Sequence, residues 1–277
     1  MQPEDGTSIS GGERSERRYA LRGLATGFFV LISAALFLAP PHDLLDKADR
    51  YAYAVCHRIG SHSLVIAGRQ LPLCARCSGT YLGALAGIAI LLAIGRGRAN
   101  RFPARRFLAV LALFMLAWMV DGLNSYLTFF PGLPHLYEPS NLLRLVTGTL
   151  EGLVLAAFVV PLFNMSVWAF TGPVPILTGW RDLGWLVLAG ALVVAAVGSE
   201  WAPLLYPLAL LSGAMVVLLV SLVCAMLLLI ILHRDGRAHH WRKLALPLSV
   251  GLACGLVGLN TIGLVRDLAT AALGLPF

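Results

Sequence analysis

Charge is what this chain has least of: 13% of its residues are charged, and only 14 of its 277 residues are acidic. A water-soluble domain carries about 25% charged and about 45–50% apolar residues. Here 58% are apolar and the mean hydropathy is +0.79, which excludes an ordinary soluble domain. Cysteine is also scarce, five in all, too few for a disulfide-built scaffold. There is no phosphate-binding glycine loop, no Ser-His-Asp set, no His-Glu-x-x-His helix and no nucleic-acid motif. The net charge of +7 and pI near 9.5 would suggest nucleic acid in a soluble chain. In this one the basic residues cluster in short loops between apolar runs, as they do beside anionic lipid. The expected partner is the lipid bilayer, not nucleic acid.

What is present is long apolar runs. Each crossing needs about 20 apolar residues, and the expected fold is an all-α polytopic bundle. Its seven spans lie near 20–39, 79–95, 106–122, 142–163, 183–198, 204–232 and 244–265. Residues 1–19, rich in Gly, Ser and charge, read as a disordered tail. Residues 20–163 read as a membrane core and 164–277 as additional helices. A signal peptide over 1–39 is the alternative, but Pro40-Pro41-His42-Asp43 offers no small-residue cleavage site, which favours a retained first helix.

Arginine placement sets the expected orientation. Arg14, Arg17, Arg18 and Arg22 precede the first span; Arg96, Arg98, Arg101, Arg105 and Arg106 fill the second loop; Arg234, Arg237, Arg242 and Lys243 fill the sixth. All three groups fall on one side of a seven-span zigzag, which makes the N-terminus cytoplasmic. The loop around Pro131 to Ser140 and the one around Glu200 lack Lys and Arg, as exoplasmic loops should. The first loop dissents, with Lys47, Arg50, Arg58, Arg69 and Arg76.

That first loop holds Cys56-His57 and then Cys74-Ala75-Arg76-Cys77. Residues 63–73 read as two short extended arms around Gly68-Arg69, folding Cys74 back toward Cys56. Cys-x-x-Cys followed by Ser-Gly resembles a metal knuckle. With Cys56 and either His57 or His62 it would complete a Cys₃His zinc-type set, in which His57, adjacent to Cys56, is the expected fourth ligand. Two alternatives stay open. Cys74 and Cys77 at a helix start, with Arg76 between them, also suit a thiol–disulfide oxidoreductase coupled to a quinone. A structural disulfide between two of the three thiols is the other. Cys224 and Cys254 lie deep in the sixth and seventh spans, as small apolar residues inside a bundle.

Polar residues near the same face form the expected supporting set: Arg58, Arg76, Asp121, Asn124, Asn141, Arg144 and Glu151. Asp121 and Arg144 are expected to pair across the mouth of the bundle. Glu151 lies about two turns into the fourth span, where a charge is expensive. It reads either as a proton or cation relay or as a hydrogen-bond partner of Asn124 or Ser125. His239-His240-Trp241 reads as a solvated turn with an interfacial anchor. Gly251, Gly255, Gly258 and Gly263 read as close helix packing.

The run Cys56-His57-Arg58, Ser63, Gly68 and Leu71-Pro72-Leu73-Cys74-Ala75-Arg76-Cys77-Ser78-Gly79-Thr80-Tyr81-Leu82-Gly83 resembles the signature of a prokaryotic membrane family known as domain of unknown function 2085. Asp121-Gly122, Asn141 to Gly148 and Gly152 match it further. The family pattern often has Arg before the first Ser; His62 holds that place here. The resemblance spans about residues 50–155 and implies a multi-pass protein of a prokaryotic inner membrane, with no activity attached.

Overall fold

The computed structural model describes residues 11–130, 134–169 and 172–273. Among the described residues eight α-helices follow one another: α1 (Gly11–Leu38), α2 (Leu44–Tyr53), α3 (Ala75–Ala93), α4 (Arg105–Leu127), α5 (Asn141–Val167), α6 (Trp180–Gly198), α7 (Leu205–Ile231) and α8 (Ala245–Leu273). All but α2 are long and apolar enough to cross a membrane, giving the seven expected spans. Helix α1 starts at Gly11, so residues 11–19 continue the first helix; residues 1–10 of the expected tail lie outside the described residues. Helix α3 starts at Ala75 instead of 79, which moves Cys77 from the loop into the first helical turn.

The first loop is more ordered than its polarity suggests. Asp43 caps α2, its carboxylate accepting from the amides of Leu45 and Asp46 at 3.0 and 3.3 Å. One face of α2 is buried through Leu45, Ala48, Tyr51 and Ala52. Lys47 sits on that face and donates to the carbonyl oxygens of Phe37 and Ala39, so its ammonium closes the C-terminal end of α1. Beyond it, strands β1 (Val65–Ile66) and β2 (Arg69–Gln70) pair antiparallel, Val65 opposite Gln70 and Ile66 opposite Arg69. The turn is Ala67-Gly68, both at positive φ (50° and 78°), which matches the twist of a two-residue hairpin. Asp46 and Asp49 on α2 hold Arg69 at 2.6 and 3.1 Å, and Asp49 also holds Arg58 at 3.1 Å. The hairpin is thereby strapped to the amphipathic helix.

In lipid, helices gain little by burying apolar surface against each other, so close backbone approach carries the packing. The α3–α5 pair is built this way. Gly79, Gly83 and Gly87 line one face of α3 at four-residue intervals, and Gly148 and Gly152 face them from α5. A methyl group on Gly148 would overlap the carbonyl of Arg76, one on Gly152 the carbonyl of Thr80, and one on Gly83 would lie 2.7 Å from the Thr149 carbonyl oxygen. The α7–α8 pair repeats the device more lightly, with Gly251 and Gly255 against Ser221 and Ala225. At Gly258 and Gly263, expected in the same seam, an added methyl group would meet no atom of another element within 4 Å, and neither takes part.

At the end of the bundle away from the hairpin, Asp182 gathers Arg96 at 2.9 Å and both the amide and hydroxyl of Thr178 at 2.8 Å. Trp241 stands edge-on to Trp168 at 4.7 Å between ring centres.

Candidate metal centre and the polar mouth around it

Three elements deliver the three thiols. The turn that ends α2 carries Cys56, whose amide donates to Ala52 O at 2.9 Å. The hairpin returns the chain so that Cys74 caps α3, and Cys77 lies one turn on. The three Sγ atoms all lie within 4.8 Å of one another. All three are free thiols, Cys56 and Cys74 buried and Cys77 half-buried. The Cys74 amide points at Cys56 Sγ from 3.3 Å, the N–H···S arrangement of a metal knuckle.

The cluster shares charge unevenly. Hydrogen bonding from the Cys74 and Cys77 thiols pulls Cys56 far below the ordinary thiol value, which makes it the group that carries a thiolate first. Serving as donor to Cys56 pushes Cys74 up to about 11.

His57 is not in the cluster. The turn is irregular, with Arg58 at φ 52°, as two adjacent ligands would require. The imidazole nevertheless turns away: Nδ1 accepts from the Ile59 amide at 3.2 Å, and the ring stands edge-on to His62 at 5.6 Å. As an acceptor, Nδ1 leaves the ring proton on Nε2, the wrong tautomer for ligation through Nε2. His62 packs against Phe129 at 5.4 Å. Burial, with Arg144, His57 and Arg76 nearby, lowers its pKa to about 4 and keeps its ring neutral at neutral pH.

The remaining expected residues come together at the same mouth with different partners. Asp121, 1% exposed, pairs with Arg76 and not with Arg144. Arg76 follows the Cys74 cap by two positions, and its Nε and Nη2 both reach the Asp121 carboxylate. Tyr137 and Thr147 donate to the same carboxylate at 3.1 and 3.2 Å. Arg144 instead donates to Asn141 Oδ1 at 2.9 Å and Ser125 Oγ at 3.4 Å. Asn141 in turn donates to the carbonyls of Ser61 and Ser63, tying α5 to the cysteine loop. Asn124 holds the third loop, accepting from Leu136 N at 2.6 Å and donating to Tyr137 O at 2.9 Å.

Glu151 meets neither Asn124 nor Ser125. Its carboxylate accepts from Thr80 Oγ1 at 2.6 Å, one turn below Cys77 on α3. Cys224 and Cys254 sit on α7 and α8 outside the cluster, and Cys254 is exposed on the bundle surface where an interior position was expected.

Sequence reasoning missed Arg266 and Asn260. Arg266, near the end of α8, donates Nη1 to the carbonyl of Cys56 at 2.7 Å and to that of Tyr53, and its guanidinium lies 4.0 Å from the Tyr53 ring centre. Asn260 accepts from Arg50 Nε at 3.0 Å. Both fix the α2 turn that presents Cys56. A lone Arg near the end of a span reads as a topology signal, and nothing local points it at residue 56.

Comparison with known proteins agrees on class. A family model described as "Predicted membrane protein (DUF2085)" matches residues 56–158, beginning at Cys56 itself and ending within α5. An uncharacterized protein from Methanocaldococcus jannaschii is 30% identical over 146 residues, a stretch covering 49% of this chain and 87% of the relative. No solved structure is significantly similar. The chain belongs to this family of membrane proteins.

Proposed function

We propose that this member of the DUF2085 family holds a zinc-type ion on Cys56, Cys74 and Cys77 at the exoplasmic mouth of its helix bundle. The observation that carries the reading is the convergence of three free thiols within 4.8 Å, with a backbone amide aimed at one of the sulfurs. Packing alone gives no reason to collect three thiols from a helix cap, a helix turn and a remote loop. Soft thiolates suit zinc, which would lock the 56–77 segment to the ends of α3 and α8 and leave a fourth position at the mouth. His57 is the candidate for that position. It is exposed and adjacent to Cys56, and it becomes a ligand only by turning out of its Ile59 hydrogen bond.

The exoplasmic placement rests on arginine distribution. The second and sixth loops, at the far end of the bundle, hold most of the loop Arg. The basic residues of the first loop are engaged locally: Lys47 with carbonyls, Arg50 with Asn260, Arg58 and Arg69 with aspartates, and Arg76 with Asp121. That accounts for their presence on the outer side.

The test is metal content of the purified chain, read beside labelling in intact cells. About one zinc per chain, lost in Cys74→Ser, is expected. After chelation, an impermeant thiol reagent should reach the cluster without permeabilisation. Absence of metal, with two thiols blocked until a reductant is added, replaces this reading with the quinone-coupled thiol–disulfide alternative. Labelling only after permeabilisation reverses the orientation.

A further inference from the structure

We propose that Arg144 is the anchor of a binding site for a small oxyanion at the mouth of the bundle, beside the thiol cluster and independent of any metal held there. Two guanidinium groups, Arg76 and Arg144, lie in the interior of the mouth with one carboxylate, Asp121. Asp121 is fully engaged: Arg76, Thr147 and Tyr137 occupy both of its oxygens.

Arg144 is 6% exposed and forms no ion pair among the described residues. Its acceptors are neutral, the Asn141 amide oxygen and the Ser125 hydroxyl. A guanidinium carries five N–H donors. These two bonds use one from Nε and one from Nη1, and the other three have no acceptor among the described residues. Burying a cation without a charged partner is costly. The cost is raised by Arg76, because Ser125 Oγ accepts from Arg76 Nη2 at 3.0 Å and from Arg144 Nε at 3.4 Å, bringing two cations to one hydroxyl.

That costly cation is nonetheless held firmly. Asn141 is fixed by the carbonyls of Ser61 and Ser63, and Ser125 by Arg76, so the guanidinium plane has little freedom. A planar fork held rigid with unused donors matches the paired oxygens of phosphate, sulfate or a phosphate ester, and gains a charge-assisted bond from each. His62, half-buried, lies close enough to Arg144 to feel its charge, and the exposed His57 ring stands edge-on to it at 5.6 Å. An oxyanion here would supply the charged acceptor that Arg144 lacks.

Two sources share this chemistry, a soluble oxyanion and a lipid headgroup at the membrane surface. The experiment uses the full chain in a maltoside detergent, which contributes no phosphate, after chelation of metal. Inorganic phosphate is titrated against chloride at constant ionic strength, and radiolabelled phosphate binding is read beside the melting temperature. In a second arm, dihexanoyl phosphatidylglycerol replaces phosphate. Saturable stabilisation by phosphate alone assigns a soluble oxyanion, and by the phospholipid alone a headgroup. Arg144→Gln should abolish either. Should that variant fail to fold, Arg144→Lys keeps the charge but loses the fork, and binding should weaken about tenfold, as expected for one charge-assisted bond. Equal binding by Arg144→Lys and the natural chain, or no saturable effect of either ligand, overturns the proposal. So does a result in which Arg144→Gln lowers metal content while neither ligand binds, because Arg144 is then the counter-charge of the thiolates. Metal content is measured separately, so the two readings fail separately.

Discussion

Arg266, at the far end of the last helix, donates a hydrogen bond to the backbone carbonyl of Cys56 at 2.7 Å, across 210 positions of sequence. The family match ends at residue 158, yet a side chain beyond it fixes the turn that presents the first thiol. Helix α8 is therefore part of how this chain builds its cluster.

The first prediction follows from that bond. Arg266→Gln removes the clamp and the ring contact with Tyr53 but leaves all three thiols in place. Metal affinity, measured by competition with a chromogenic chelator, should fall about 10- to 100-fold, the range seen when groups supporting a ligand are lost. Helix content by circular dichroism should not change. An unaltered affinity would show that the Cys56 turn holds itself.

Packing gives the second. Gly148→Ala places a methyl group on the Arg76 carbonyl, and neither backbone can yield without parting α3 from α5. The variant should lose about 1–3 kcal/mol of stability. Gly258→Ala, with nothing within 4 Å, should stay within about 0.5 kcal/mol of the natural chain. Thermal denaturation in one detergent compares them, and equal losses would refute the seam.

The third concerns acid. Burial first, then Arg144, His57 and Arg76, lower the His62 pKa from 6.5 to about 4 in the folded protein. Between those values the unfolded chain binds a proton that the folded chain does not, so stability rises with pH across the window. It should be complete above about pH 6.5 and lost progressively as pH falls toward 4. In metal-free protein, His62→Asn should flatten that part of the stability profile relative to the natural chain. An unchanged slope would mean that other groups set it.

Much of this architecture was legible in the sequence, and the reasons separate by range. The seven spans follow from hydropathy, a property summed over some 20 residues and insensitive to detail. The return of Cys74 toward Cys56 follows from a glycine between two short arms, although the turn falls at Ala67-Gly68, one position earlier than Gly68-Arg69. Helix α2 was hidden because ten residues cannot cross a membrane and its polar face resembles a loop. Partner choice was the least legible. Asp121 takes Arg76 instead of Arg144 because the glycine seam fixes the rotation of α3 against α5, and rotation is not written in spacing. The same holds for Glu151, which the seam turns toward Thr80. His57 shows the converse: adjacency to Cys56 suggested ligation, and the bond to Ile59 in an irregular turn sends the ring elsewhere.

The seam also restricts how this protein can move. With backbone against backbone along α3 and α5, that pair has no room to slide or roll, and it behaves as a single rigid post with Cys74, Cys77 and Arg144 fixed to its top. Whatever freedom the mouth has lies with what hangs on the post: the hairpin with its straps to α2, and Leu136 and Tyr137 tethered through Asn124.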